Sequence, residues 1–141
     1  MKAVDIVVEL ETAYLFIEIK NFDDPSAFDT RVFEDDDETM KQKRDHFKWL
    51  KNYLKYKFRD SYLYRHAEQK TDKPIHYLCL LNLDNAMNTV MWKALNREIP
   101  IGIPSSRWLR KLAESCQVVN LERWNHNFPK WPAVYAAKGA E

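Results

Sequence analysis

The chain predicts an α/β fold in which an antiparallel hairpin belongs to a mixed sheet flanked by helices. Three observations predict it. Two N-terminal stretches alternate apolar and polar residues with a period of two, as half-buried strands do. A long segment after them repeats its apolar residues at helical spacing. A third stretch, Ile75 to Leu83, is apolar almost without a break, as in a strand covered on both faces.

The first strand is read as Val4-Asp5-Ile6-Val7-Val8-Glu9-Leu10-Glu11 and the second as Tyr14-Leu15-Phe16-Ile17-Glu18-Ile19-Lys20, with Thr12 and Ala13 as the turn. Pairing Leu10 with Leu15 sets Val7 opposite Glu18 and Asp5 opposite Lys20. Side chains alternate faces along a strand, so Asp5, Glu18 and Lys20 then share one face with Val7 and Phe16. The other face is apolar throughout: Val4, Ile6, Val8, Leu10, Leu15, Ile17 and Ile19. A one-residue slip would separate the three charged groups.

Glu38 to about Arg59 reads as a long helix, with Met40, Phe47, Leu50, Leu54 and Phe58 on its apolar face, continuing or restarting towards Gln69. Asp35, Asp36, Asp37 and Glu38 stand at its start, where acids favour the helix dipole; that reading is preferred to a metal site. Asp84 or Asn85 caps a helix through Leu95, with Ala86, Val90, Met91, Ala94 and Leu95 as its apolar face. Ser105 or Ser106 caps a shorter helix over Arg107 to Ser115, and Gln117 to Leu121 is read as an edge strand. The aromatic stretch at about 124–141, with Trp124, Phe128, Trp131 and Tyr135, reads as an irregular arm packed against the body or against a partner.

A length of 141 residues predicts a single domain. A hydrophobic content of 45% excludes a disordered chain, and only two glycines favour long regular elements. No apolar run reaches the roughly 18 residues of a membrane span. The N-terminus reads as a strand and not as a signal peptide. Cys79 falls in the buried strand and Cys116 at a helix end; two unpaired cysteines point to a reducing cytoplasm. There is no CxxC or HxxxH spacing, and His46, His66, His76 and His126 are scattered, as surface or half-buried residues are.

Asp5 and Glu18 are the informative pair. Opposed residues of a hairpin have Cβ atoms roughly 5 Å apart and diagonal ones roughly 7–8 Å. Two carboxylates at that range can share a hard divalent cation, Mg²⁺ or Mn²⁺, with the backbone carbonyl of Ile19 as a third oxygen. Such an ion acidifies a water, which becomes a usable nucleophile. Lys20 beside it would orient that water or offset charge building on phosphorus. These groups suit phosphodiester hydrolysis. The plainer reading of the same residues is a solvated hairpin face with a weak cross-strand ion pair. Val7 and Phe16 on that face, and the wholly apolar opposite face, favour a hairpin set inside a larger sheet.

An Asp at a strand start, a turn, then Glu18-Ile19-Lys20 on the next strand resembles the PD-(D/E)xK, or restriction endonuclease-like, nuclease superfamily. The order strand, strand, helix, strand over residues 4–83 follows that of the superfamily core. The resemblance implies a restriction endonuclease-like mixed sheet, Asp5 and Glu18 as metal ligands, and Lys20 as the third catalytic group. It also implies an assisting Lys, Arg or Gln on the following helix, for which Gln42, Lys43 and Arg44 stand in position. The superfamily core has a helix and a first strand ahead of the Asp, and only four residues precede Asp5 here. The chain is therefore read as a truncated start, a diverged member, or a protein that completes its sheet as a homodimer.

Charge is unevenly spread. Residues 1–40 carry three basic and twelve acidic groups, and residues 41–73 carry eleven basic and four acidic. The basic segment is the long helix. Lys41, Lys48 and Lys55 recur every seven residues, with Lys43, Arg44, Lys51, Lys57 and Arg59 nearby, a stripe able to hold phosphates. Trp49, Tyr53 and Tyr56 interleave with it and are able to stack bases. A solvated helix face with core aromatics is the alternative. The sequence therefore predicts a cytoplasmic Mg²⁺-dependent endo- or exonuclease acting on DNA. The rival expectation is a nuclease-like binding or assembly module without catalysis.

Overall fold

A computed structural model describes residues 3–30, 37–102 and 108–134. Its strands are β1 (Ile6–Glu9), β2 (Tyr14–Lys20), β3 (Ile75–Leu81) and β4 (Ser115–Val119). Its helices are α1 (Asp37–Ala67), α2 (Asn85–Glu98) and α3 (Leu121–Asn127), with a 3₁₀ turn at Pro25–Phe28. The fold is α/β. The strands form one mixed sheet in the order β1-β2-β3-β4, antiparallel between β1 and β2 and parallel from β2 onward.

The hairpin register differs from the expected one. Leu10 N–H donates to Ala13 O at 2.8 Å, so Glu11 and Thr12 form the turn. Val7 faces Phe16 and Ile6 faces Ile17. Moving a two-residue turn back by one position shifts the pairing by two. Because the side-chain period is also two, Asp5, Glu18 and Lys20 keep their common face. What changes is the partner: continued past Ile6, the register sets Asp5 against Glu18 and not against Lys20. Val4 leaves the apolar far face. It turns under the sheet into the core beneath α1, and its N–H donates to Ser61 Oγ at 2.8 Å.

Both parallel connections step across the sheet in one direction. Crossovers of the usual right hand then put their helices on one face. Leu50, Leu54 and Phe58 of α1 share a core cluster with Met87, Met91 and Leu95 of α2, and with Tyr14, Phe16, Tyr77 and Cys79 of the sheet. Asp84 caps α2 by accepting the Met87 N–H at 2.8 Å, and its buried stripe is Met87, Met91 and Leu95; Ala86 and Val90, expected there, are exposed. The opposite face is covered by α3, where Trp124 packs with Leu15, Ile17, Leu78 and Val119. As β1 is the outer strand, Ile6 and Ile19 on that face remain 43% and 41% exposed.

α1 runs antiparallel to β2, and matching contacts step along both. Arg65 lies over the Tyr14 ring at 4.7 Å, Phe58 packs on Phe16 with centroids 5.8 Å apart, and Lys20 Nζ lies 4.7 Å over Tyr53. A 31-residue helix is about 46 Å long and a seven-residue strand about 23 Å, so the first half of α1 projects past the sheet. There the 3₁₀ turn supports it: His46 Nδ1 lies 3.2 Å from Ala27 O and its ring 5.9 Å from that of Phe28. Gln69, at φ 60°, closes the other end; Gln69 N–H donates to His66 O and Lys70 N–H to Arg65 O.

Four expectations are corrected beyond β3. Residues 108–114 hold no helix; Ala113 bridges to Ile101 and Glu114 N–H donates to Ile75 O, which draws this segment alongside the sheet. Ser105, Ser106 and Arg107 lie outside the described residues, as do Asp35, Asp36, the Asp37 side chain and Tyr135. The last strand runs Ser115–Val119 instead of Gln117–Leu121, because Asn120 ends it as the cap of α3, accepting Arg123 N–H at 3.0 Å. Cys116 consequently sits in a strand and not at a helix end. The start of the aromatic stretch is α3 followed by a turn, with Trp124 Nε1 donating to Trp131 O at 2.8 Å.

Candidate active site

The site lies where the start of β1 meets the end of β2 under the middle of α1. Asp5 and Glu18 are interlocked. Asp5 N–H donates to Glu18 Oε1 at 3.1 Å, and Ile19 N–H donates to Asp5 Oδ2 at 2.9 Å. The second bond follows from Val4 leaving the ladder: the Ile19 N–H points at the neighbouring strand and takes the Asp5 carboxylate in place of a backbone oxygen. In an extended residue N–H and C=O point to the same neighbour, so the Ile19 carbonyl also faces the Asp5 side.

Glu18 is only 1% exposed, whereas Asp5 is at the surface. Burial pushes the Glu18 carboxyl above the ordinary glutamate range, and the Asp5 charge adds to it. Lys57, the Asp5 N–H and the Tyr53 hydroxyl pull it part of the way back. Lys57 Nζ lies 3.7 Å from Glu18 Oε2 and donates to Ala3 O at 2.9 Å. Burial alone would lower the Lys57 ammonium; the Tyr53 hydroxyl and the Glu18 charge outweigh it and hold the group above the usual lysine range.

Sequence reasoning set Lys57 and Tyr53 on the basic, aromatic stripe of the long helix and did not place them at the carboxylates. Gln42, Lys43 and Arg44 do not meet the site. They precede Lys57 by 13 to 15 positions, which is about 20 Å of helix axis, and they stand on the projecting half of α1. No local signal places Lys57 and Tyr53 there: the antiparallel run of α1 along β2, a tertiary feature, pairs the end of the strand with the middle of the helix. The basic stripe divides. Lys41, Arg44 and Lys48 are exposed, as is Gln42, and Lys43 is half-buried. Lys51 and Lys55 turn inward to Glu98 of α2, at 3.3 and 3.5 Å.

Among the described residues no group of three or more His, Cys, Asp or Glu is gathered. An ion here would therefore rest on Asp5, Glu18 and the Ile19 carbonyl, with waters for the rest. Mg²⁺ accepts that, since it takes one or two carboxylates and keeps several waters. The donor types fit: two adjacent carboxylates, one exposed and one buried, the buried one also facing Lys57 Nζ at 3.7 Å. Cys79 and Cys116 are buried and free, and burial pushes the Cys79 thiol well up, which makes it a poor nucleophile. No helix among the described residues is long and apolar enough to cross a membrane.

The raised Glu18 carboxyl has a sign that can be measured. The folded state holds this proton more tightly than the unfolded chain. Its contribution to stability is complete below the unfolded value, near pH 4.5, and is lost as pH rises through the raised folded value. Glu18→Gln lacks this dependence. The unfolding free energy of the parent relative to that variant should fall from about pH 4.5 upward, as followed by urea titration. A flat or rising difference would mean that Lys57 controls Glu18.

No family model, no curated protein and no solved structure matches this chain. The residues themselves carry the functional argument.

Proposed function

We propose that this protein is a Mg²⁺- or Mn²⁺-dependent nuclease of the PD-(D/E)xK type that hydrolyses phosphodiester bonds in DNA, in a reducing cytoplasm. One juxtaposition supports the reading: Asp5 N–H 3.1 Å from Glu18 Oε1, with Lys20 two positions further along the same face. Asp5, Glu18 and the Ile19 carbonyl would hold the ion. When bound, it supplies Lewis acidity and an acidified water. Lys20 would orient the nucleophile or balance charge on the phosphoryl oxygens, as the last residue of β2 on the strand face that carries Glu18. Tyr53 holds Lys20 through its ring face, with Nζ 4.7 Å from the centroid. Lys57, tied to Ala3 O, adds a second positive charge at the same edge.

The Lys57–Glu18 pair favours a second reading. An ammonium 3.7 Å from Glu18 Oε2 already balances the buried carboxylate, as it would in a nuclease-like binding or assembly module without chemistry. Calorimetric titration with Mg²⁺ and Mn²⁺ separates the two. The nuclease should bind the ion, and Asp5→Ala should weaken binding at least tenfold. A parent that binds neither ion, and leaves plasmid, linear and single-stranded DNA uncut in their presence, belongs to the second reading.

A further inference from the structure

We infer that Trp49 and Tyr53 form a stacking platform for an unpaired base, and hence that the substrate of this site is single-stranded nucleic acid or a single-stranded end. The inference rests on the nuclease reading for what happens at the phosphate, and on separate residues for what is bound. Trp49, Tyr53 and Lys57 follow one another at four-residue spacing, one stripe of α1 leading to Glu18. The Trp49 and Tyr53 rings stack, with centroids 5.4 Å apart and planes at 28°. Lys20 and Lys57 hold the Tyr53 ring from the site side, with Nζ atoms 4.7 and 5.2 Å from its centroid. The platform is thus braced at its inner end while Trp49, 53% exposed, keeps a broad aromatic surface in solvent. Lys48, exposed beside it, and Arg44 and Lys41 beyond are placed to meet phosphates.

The spacing suits a strand running to the carboxylates. Trp49 to Lys57 is about 12 Å along the helix, three to four steps of a strand stacked at ~3.4 Å. A base on Trp49 therefore lies a few nucleotides from a phosphate at Asp5 and Glu18. In a duplex the base faces are covered by their neighbours and proteins reach only the edges, so such a platform has no use for paired DNA.

The test is fluorescence anisotropy of a labelled 12-nucleotide single strand and of a duplex of equal length. EDTA is present, so that binding is read without cleavage. The parent should bind the single strand more tightly than the duplex. Trp49→Ala should lose about tenfold in single-strand affinity and little in duplex affinity, and Trp49→Phe should recover most of the loss. Equal affinity of Trp49→Ala and parent for the single strand overturns the inference, as does an equal loss on both ligands. The nuclease reading fails separately, if Lys20→Ala cuts as fast as the parent in Mg²⁺ while the Trp49 effect on binding persists.

Discussion

Lys20→Ala should lower Mg²⁺-dependent cleavage by about 10² to 10³-fold, the usual cost of removing one preorganised electrostatic group from a reaction centre. The fold should survive the change. Lys20 is only partly buried at the last position of β2, and its described contact is the Tyr53 ring face, a contact worth about 0.5–1 kcal/mol at such a site. The urea midpoint should therefore move little while initial rates collapse. Lys20→Arg should keep the charge and part of the rate, since a planar guanidinium does not reproduce a compact ammonium. Unimpaired cleavage by Lys20→Ala at saturating Mg²⁺ would remove Lys20 from the chemistry.

Phe58→Ala carries the largest expected loss of stability. Phe58 is 1% exposed and stands where helix meets sheet, with ring centroids 5.8 Å from Phe16, 5.2 Å from Tyr77 and 6.1 Å from Tyr62. Truncation removes the ring and leaves a cavity between rigid aromatic neighbours, at a cost of about 3–5 kcal/mol. That is a large share of the roughly 5–15 kcal/mol that holds a domain together. Chemical denaturation should show it as a marked fall in midpoint, and Phe58→Leu should lose distinctly less. A loss below about 1 kcal/mol would mean that the cavity collapses freely.

Much of this arrangement is legible in the residues alone, and the reasons are physical. Leu50, Leu54 and Phe58 recur at helical spacing, and all three are buried. The common face of Asp5, Glu18 and Lys20 survived a wrong turn assignment because a shift of two leaves strand faces unchanged. Lys57 escaped because its role depends on the direction in which α1 returns along β2, a tertiary fact with no local signature. Lys51 and Lys55 repeat like their exposed neighbours, and only the packing of α2 turns them toward Glu98. α3 carries an ordinary start signal in Asn120, with Glu122 in its first turn, yet the prolines and aromatics after it suggested an irregular arm. The segment at 108–114 has helix-like residues and is held out of a helix by long-range bonds to Pro100 and Ile75.

The tuck of Val4 beneath α1 also governs how the protein is handled at the bench. Ala3 O is bound to the same ammonium that faces Glu18, so the N-terminal end of the described chain lies next to the two carboxylates. A polyhistidine purification handle at that end would bring imidazoles, which hold divalent transition metals well, to the rim where the catalytic ion is expected. Titrations of metal affinity are best made on protein carrying its handle at the opposite end, or with the handle cut away.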